Sequence, residues 1–383
     1  MPALRPDVDP DGLLEYSVVY TDRALNHMSL RFRQALREIS DMLRQAYAAD
    51  AAVVVPGSGS FAMEAVARQF VSPDEGSRVL VLRNGWFSYR WSQILAAARP
   101  RADIRVLKAR ALSGEPQAAY APPPAAEVAQ AIREQRPAVV FAPHVETSAG
   151  IMLPDVYVRE LAEAAQAVDA LLVLDCIASG AMWVDMRALG VDVLLSAPQK
   201  GWSGPPCAGF AMLSQRALQR MDATRSDSFA CDLGAWLKIM RAYENGGHAY
   251  HATMPTDTLL RVRDAMREAF AVGLPRLKQA QVDLGAQVRA SLRRRGVADV
   301  AGAGFEAPGV VVSHTRDPAI HDTRAFVAAG VQVAAGVPLA CDEAADFSTF
   351  RIGLFGLDKL LDVPGALRRL EQAFDAVGLP LRG

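Results

Sequence analysis

Cysteine is scarce. The chain has four in 383 residues (Cys176, Cys207, Cys231 and Cys341), and none fall in Cys-x-x-Cys spacing. That argues against a disulfide framework and a structural zinc site, and it suits a reducing cytoplasm. A charge excess is also missing: 41 Lys+Arg against 42 Asp+Glu leave a formal net charge of −1. Neither nucleic acid nor an anionic membrane surface is therefore expected as a partner. No uncharged apolar run reaches the ~18 residues of a membrane span. The opening residues, Met1-Pro-Ala-Leu-Arg-Pro, lack the apolar stretch of a signal peptide, so the expected location is cytoplasmic. With 51% hydrophobic and 22% charged residues, the composition is that of a globular enzyme. The length predicts one large and one smaller domain.

Short apolar runs alternate with longer helical stretches through the first two thirds of the chain. The runs are Ala51–Val55, Arg78–Leu82, Ala138–Ala142, Leu171–Leu174, Asp192–Leu195 and Ala208–Leu213, preceded by a helical pattern over Leu30–Tyr47. Runs so short and uniformly apolar predict a mostly parallel sheet buried on both faces, an α/β fold with helices on either side. Residues 1–20 read as an arm and 21–256 as the large domain. Residues 257–383 read as a smaller α+β domain, with helices over Asp257–Val272, Arg276–Arg295 and Val363–Val377 and strand-like runs at Gly309–Ser313, Gln332–Ala334 and Thr349–Leu354. The patch Ala118–Ala126 reads as a loop.

Ligands of such sheets bind at the carboxyl ends of the strands, and polar groups collect there. Asp175 closes one apolar run, and Lys200 follows another in Ser196-Ala-Pro-Gln199-Lys200-Gly-Trp. A lysine and an aspartate at strand ends are what pyridoxal phosphate (PLP) requires: an amine for a Schiff base with its aldehyde and an acid for its pyridinium nitrogen. Each residue alone also reads as ordinary, Asp175 as a helix cap and Lys200 as a turn residue. In Val53-Val-Val-Pro-Gly-Ser58-Gly59-Ser60 a strand leads through a Gly/Ser turn into a helix, which suits a phosphate. It equally suits plain N-capping. The turn Asn84–Arg90 offers an aromatic that could stack on a planar ring or simply pack. In Phe141-Ala-Pro-His144-Val-Glu146-Thr147-Ser148, short polar side chains could bond a ring hydroxyl, and His144 and Glu146 read as braces of the loop.

These fragments, in this order, resemble the class V, fold-type-I PLP-dependent aminotransferases, nearest the alanine/serine–glyoxylate (serine–pyruvate) branch. The match runs from Asn26-His-Met-Ser29 to Arg351-Ile-Gly-Leu. The resemblance implies Lys200 as the Schiff-base lysine, Gln199 beside it on the cofactor, and Asp175 on the pyridinium nitrogen. Ile177 and Phe87 would cover the two ring faces, with Thr147 on the ring's phenolic oxygen and Ser58, Gly59 and Ser60 around the phosphate. It implies that Tyr250 and Thr253 reach the phosphate of a second subunit, hence a homodimer with composite sites, and that Arg351 grips the substrate carboxylate. The expected reaction moves an amino group from a small amino acid of alanine or serine type to a 2-oxo acid such as glyoxylate or pyruvate. Two features depart from the pattern. The family's Gly-Pro-rich opening is replaced by Tyr20-Thr-Asp-Arg-Ala-Leu, and residues 228–236 match nothing assignable. Three rivals stand: a 2-aminoethylphosphonate–pyruvate transaminase, a cysteine desulfurase or related lyase using Cys341, and a PLP-binding module without catalysis.

Overall fold

The computed structural model describes residues 13–381; most of the expected arm, residues 1–12, lies outside them. Seven strands build the main sheet: β1 (Ala51–Pro56), β2 (Arg78–Arg83), β3 (Asp103–Lys108), β4 (Val139–Pro143), β5 (Leu171–Asp175), β6 (Val193–Ser196) and β7 (Ala208–Leu213). Their spatial order is β1-β7-β6-β5-β4-β2-β3. Strand β7 is antiparallel to both of its neighbours, and the remaining pairs are parallel. All strands but β7 thus point the same way, and the carboxyl ends of β1, β2, β4, β5 and β6 share one edge. The register levels them: Asp175 lies opposite Pro143 on one side and Leu195 on the other.

The runs form strands because both faces are covered. Ala51 to Val55 and Leu171 to Leu174 are buried throughout, rich in the branched side chains that fit a pleated surface. Helix α1 (Leu30–Tyr47) packs one covering layer through Phe32, Leu36, Ile39, Leu43 and Tyr47, spaced along one helical face. Ser29 caps its start by accepting from the Phe32 N–H at 3.1 Å, and Ala48 ends it in the left-handed region. Each such apolar side chain stabilises the fold by roughly 1.5–3 kcal/mol on burial. Helices α2 (Gly59–Phe70), α3 (Trp86–Ala98), α4 (Ala125–Gln135) and α5 (Asp155–Ala167) follow β1, β2, the segment after β3, and β4 in turn.

The later segment holds long helices over Thr256–Val272 and Leu274–Arg294, a closing helix over Val363–Ala376, and a three-stranded antiparallel sheet. In that sheet Arg351 pairs with Val312 on one side and Ala334 on the other. Two local expectations differ from what is found. Residues 118–126 are not all loop: Tyr120–Ala121 pairs with Arg110–Ala111, and α4 begins at Ala125 just after Pro124. The turn after β2 is shorter than Asn84–Arg90, since helix α3 starts at Trp86. Strand β3 carries no apolar run in the sequence because it is the partly exposed edge, where Asp-Ile-Arg-Val-Leu-Lys mixes charge with apolar residues.

Candidate active site

The loops leaving the shared edge close on a cavity of about 180 Å³. Ser58, Gly59, Ser60, Phe87, Thr147, Asp175, Ile177, Gln199 and Lys200 all line it. Residues from five different strand ends thus meet at one place. A larger cleft of about 650 Å³ lies between the 111–120 hairpin and the loops of the small sheet, and its lining includes no lysine.

Lys200 follows β6 and is half-buried. Its amine lies 5.2 Å from the centre of the Phe355 ring and makes no ion pair among the described residues. Burial first, then the positive charges of Arg351 and Arg90, push its pKa below the usual lysine range, while Asp175 pulls the other way. Such an amine is available as a base or nucleophile. Asp175 shows the reverse. Burial drives its carboxyl up to about 6, Glu146 adds to the rise, and the Ile177 N–H, Arg90 and Lys200 oppose it. That N–H donates to the Asp175 Oδ1 at 3.0 Å, which leaves Oδ2 for a donor from a ligand.

The phosphate-like end is the start of α2. The first N–H groups of a helix have no carbonyl within the helix to bond, and Ser58, the residue before it, does not spend its hydroxyl on capping. Gly59 packs closely on the ring-face residue: a Cβ there would come within 2.7 Å of the Ile177 Cδ1, and that side chain would have to shift. Arg90 joins this end, donating to the Ser60 Oγ at 2.9 Å. Two guanidinium groups lie near the Phe87 ring, with the Cζ of Arg90 at 5.5 Å and that of Arg351 at 5.4 Å from its centre. Arg351 arrives from the small sheet, positioned by the bond from its Nε to the Ala335 carbonyl at 2.8 Å, which leaves its terminal nitrogens for a ligand.

His144 and Glu146 brace the loops, as expected. His144 bonds Ser179 through Nδ1 at 2.7 Å, and burial lowers its pKa to about 4, so it stays neutral. Tyr250 and Thr253 do not reach the cavity within one chain. They are exposed and bond each other at 3.0 Å. Residues 228–236, unassigned from sequence, lead into a helix over Leu233–Glu244 capped by Asp232. Cys341 is buried outside the cavity, with its thiol driven by burial up to about 12, which does not suit a mobile nucleophile. Sequence reasoning missed Arg90. Its signal was the spacing of three from Phe87, which puts both on one face of a helix starting at the turn.

A mostly parallel sheet with a lysine, an acid and a helix N-terminus converging at its carboxyl edge defines a transferase of the PLP fold-type-I class. The chain belongs to the aminotransferase class-V family, which matches residues 12–355. It is 30% identical over 347 residues to the 2-aminoethylphosphonate–pyruvate transaminase of Burkholderia mallei, covering 90% of this chain and 88% of that one. Among solved structures it resembles the alanine–glyoxylate aminotransferase of Nostoc sp. (TM-score 0.77, 22% identity, 92% and 88% of the two chains). It also resembles an aspartate aminotransferase of Thermus thermophilus (TM-score 0.75, 24% identity, 92% and 93%). The protein is thus a transaminase, and the family implies pyridoxal phosphate as cofactor. The donor set fits that group: an uncapped helix start beside Gly59 for the phosphate, an acid with one open oxygen for the ring nitrogen, and an amine of lowered pKa for the aldehyde.

Proposed function

We propose that the protein binds pyridoxal phosphate through the cavity residues and moves an amino group from a small donor with one anionic end to a 2-oxo acid of the pyruvate or glyoxylate type. The observation that carries this reading is the meeting of Lys200, Asp175 and the α2 N-terminus in one cavity, with Arg351 beside it. Lys200 Nζ would hold the aldehyde carbon, and Gln199 would sit beside it. Ser58, Gly59 and Ser60 would hold the phosphate on the helix N-terminus. Phe87 and Ile177 would cover the ring faces, and Thr147 would donate to the ring oxygen. When bound, the cofactor supplies an electrophilic carbon for the amine and an electron sink for the charge that develops on substrate.

The chain's own residues do the rest. Asp175 holds a proton at the ring nitrogen. Arg351 binds the substrate's anionic group with its open guanidinium nitrogens and so aims the amine at the site. Lys200, once free, would take the proton from the substrate carbon as a general base and deliver it as a general acid to the carbon that had carried the aldehyde, which its lowered pKa favours.

Two donors meet these terms. An α-amino acid of alanine or serine type places a carboxylate on Arg351. 2-Aminoethylphosphonate places a phosphonate there, and the 30% identical relatives that carry that name favour it. We further propose a homodimer in which Tyr250 and Thr253 complete the neighbour's phosphate site. Their exposure, and that of Leu13, Leu14, Tyr16 and Val18, supports this. The division into a large domain of residues 21–256 and a small one of 257–383 is part of the same reading, as is a cytoplasmic location, which four free buried cysteines support. No helix among the described residues is long and apolar enough to cross a membrane.

The test is a half-reaction screen of the yellow holoenzyme with alanine, serine and 2-aminoethylphosphonate added singly. Conversion to the pyridoxamine spectrum by one of them identifies the donor class. Loss of the yellow band with none of them, at any concentration, contradicts the proposal.

A further inference from the structure

Glu146 is fully buried and has no ion-pair partner among the described residues. A buried carboxylate without a counter-ion is costly unless donors surround it, and here they do. Oε1 accepts from the Phe87 N–H at 3.2 Å, the Ser148 N–H at 3.0 Å and the Ser148 hydroxyl at 2.8 Å. Oε2 accepts from the Ser88 N–H at 2.8 Å and lies 2.7 Å from the Ser88 hydroxyl, whose single proton is shared with the Gly85 carbonyl at 2.9 Å. Ser148 in turn accepts from the Trp86 N–H at 2.9 Å. The first three N–H groups of α3 are therefore all satisfied by the loop after β4, and none by α3's own N-cap side chain. Gly85 makes the joint possible: a Cβ there would sit 2.0 Å from the Ser148 Oγ and 2.7 Å from the Glu146 Cγ.

The joint ties together two residues that line the cavity from different strand ends. Phe87 hangs on the carboxylate through its own N–H, and Thr147 is its chain neighbour. The charge also counts. The cavity and its rim carry Lys200, Arg90 and Arg351 against the single carboxylate of Asp175, and Glu146 is the second anion near them. Its field reaches Asp175, Arg351 and the Cys341 thiol.

We propose that Glu146 is a positioning residue: its carboxylate, locked onto the first turn of α3, sets Phe87 and Thr147 together against the cofactor ring and supplies negative charge to a cationic pocket. This rests on the reading of the cavity as a pyridoxal phosphate site. A glutamine keeps the shape but turns an N–H₂ toward donors and removes the charge. An aspartate keeps the charge but falls one methylene short of the α3 N–H groups. Ser148→Ala removes the acceptor for the Trp86 N–H and leaves the charge in place.

The experiment measures two quantities on each variant: affinity for pyridoxal phosphate, by equilibrium dialysis, and the pH midpoint of the visible absorption of the holoenzyme. Wild type and Lys200→Ala are compared first. If the band persists in Lys200→Ala, the cofactor reading fails independently of Glu146. Given that the band depends on Lys200, Glu146→Gln should weaken cofactor binding by about tenfold or more, the scale of a lost charge-assisted hydrogen bond. It should also move the midpoint to lower pH by roughly half a unit or more, because an anion that favours the protonated form is gone. Ser148→Ala should weaken binding and leave the midpoint in place. A Glu146→Gln holoenzyme with wild-type affinity and midpoint overturns the proposal. If Glu146→Gln fails to fold, Glu146→Asp decides: weakened binding with a wild-type midpoint supports it, and wild-type affinity overturns it.

Discussion

Asp175→Asn should stabilise the protein freed of cofactor, and only above a particular pH. The Asp175 carboxyl, ordinarily near 3.8, is pushed up to about 6, chiefly by burial. A shift of two units corresponds to roughly 3 kcal/mol of preference for the neutral form. The folded chain binds this proton more tightly than the unfolded chain does. Below about pH 4 the group is neutral in both states and costs nothing. As pH rises through about 6 the folded chain must carry a carboxylate that the site disfavours, and stability falls. Asparagine has no such titration, and its Oδ1 can still accept from the Ile177 N–H. The stability gap between mutant and wild type should therefore grow from near zero at pH 4 toward roughly 2–3 kcal/mol at pH 7, the lower figure reflecting water at the open edge of the cleft. Urea denaturation of the cofactor-free proteins across pH 4–7.5 measures it. A gap that stays flat with pH, or that favours wild type as pH rises, refutes the reasoning. The same substitution should slow proton transfer in the loaded enzyme, so that a destabilising acid is retained for chemistry.

Arg351→Gln should raise the KM for donor and acceptor alike, on the order of 10²-fold, through loss of a charged hydrogen-bonding pair, while leaving the visible band of the holoenzyme in place. Steady-state kinetics and an absorption spectrum check both halves. Gly59→Ala should weaken cofactor affinity, because the new methyl meets Ile177 at 2.7 Å and displaces either the ring-face residue or the helix start; equilibrium dialysis reads the change, and unchanged affinity would remove Gly59 from the phosphate site.

The strand ends were legible because polar residues directly follow uniformly apolar runs. Lys200, Asp175 and Ser58 each stand within a few positions of such a run, and parallel topology then gathers them at one edge. Arg351 was not legible from spacing: it lies some 150 positions beyond Lys200, in a different sheet, and only the family resemblance pointed to it. Glu146 reads as a loop brace in sequence, but its partners on α3 are about 60 positions away, a distance no local pattern spans. The strand over Asp103–Lys108 was not legible, since a partly exposed edge lacks the apolar signature of its neighbours. Tyr250 and Thr253 remain apart from the cavity in a single chain, and their role was legible only through the family resemblance.

The most direct test of the central claim is to reduce the holoenzyme with borohydride, digest it, and locate the coenzyme by peptide mass spectrometry. The expected result is a single modified peptide with the coenzyme on Lys200. Modification at another lysine, or a reduced protein that releases all of its coenzyme on unfolding, would contradict it.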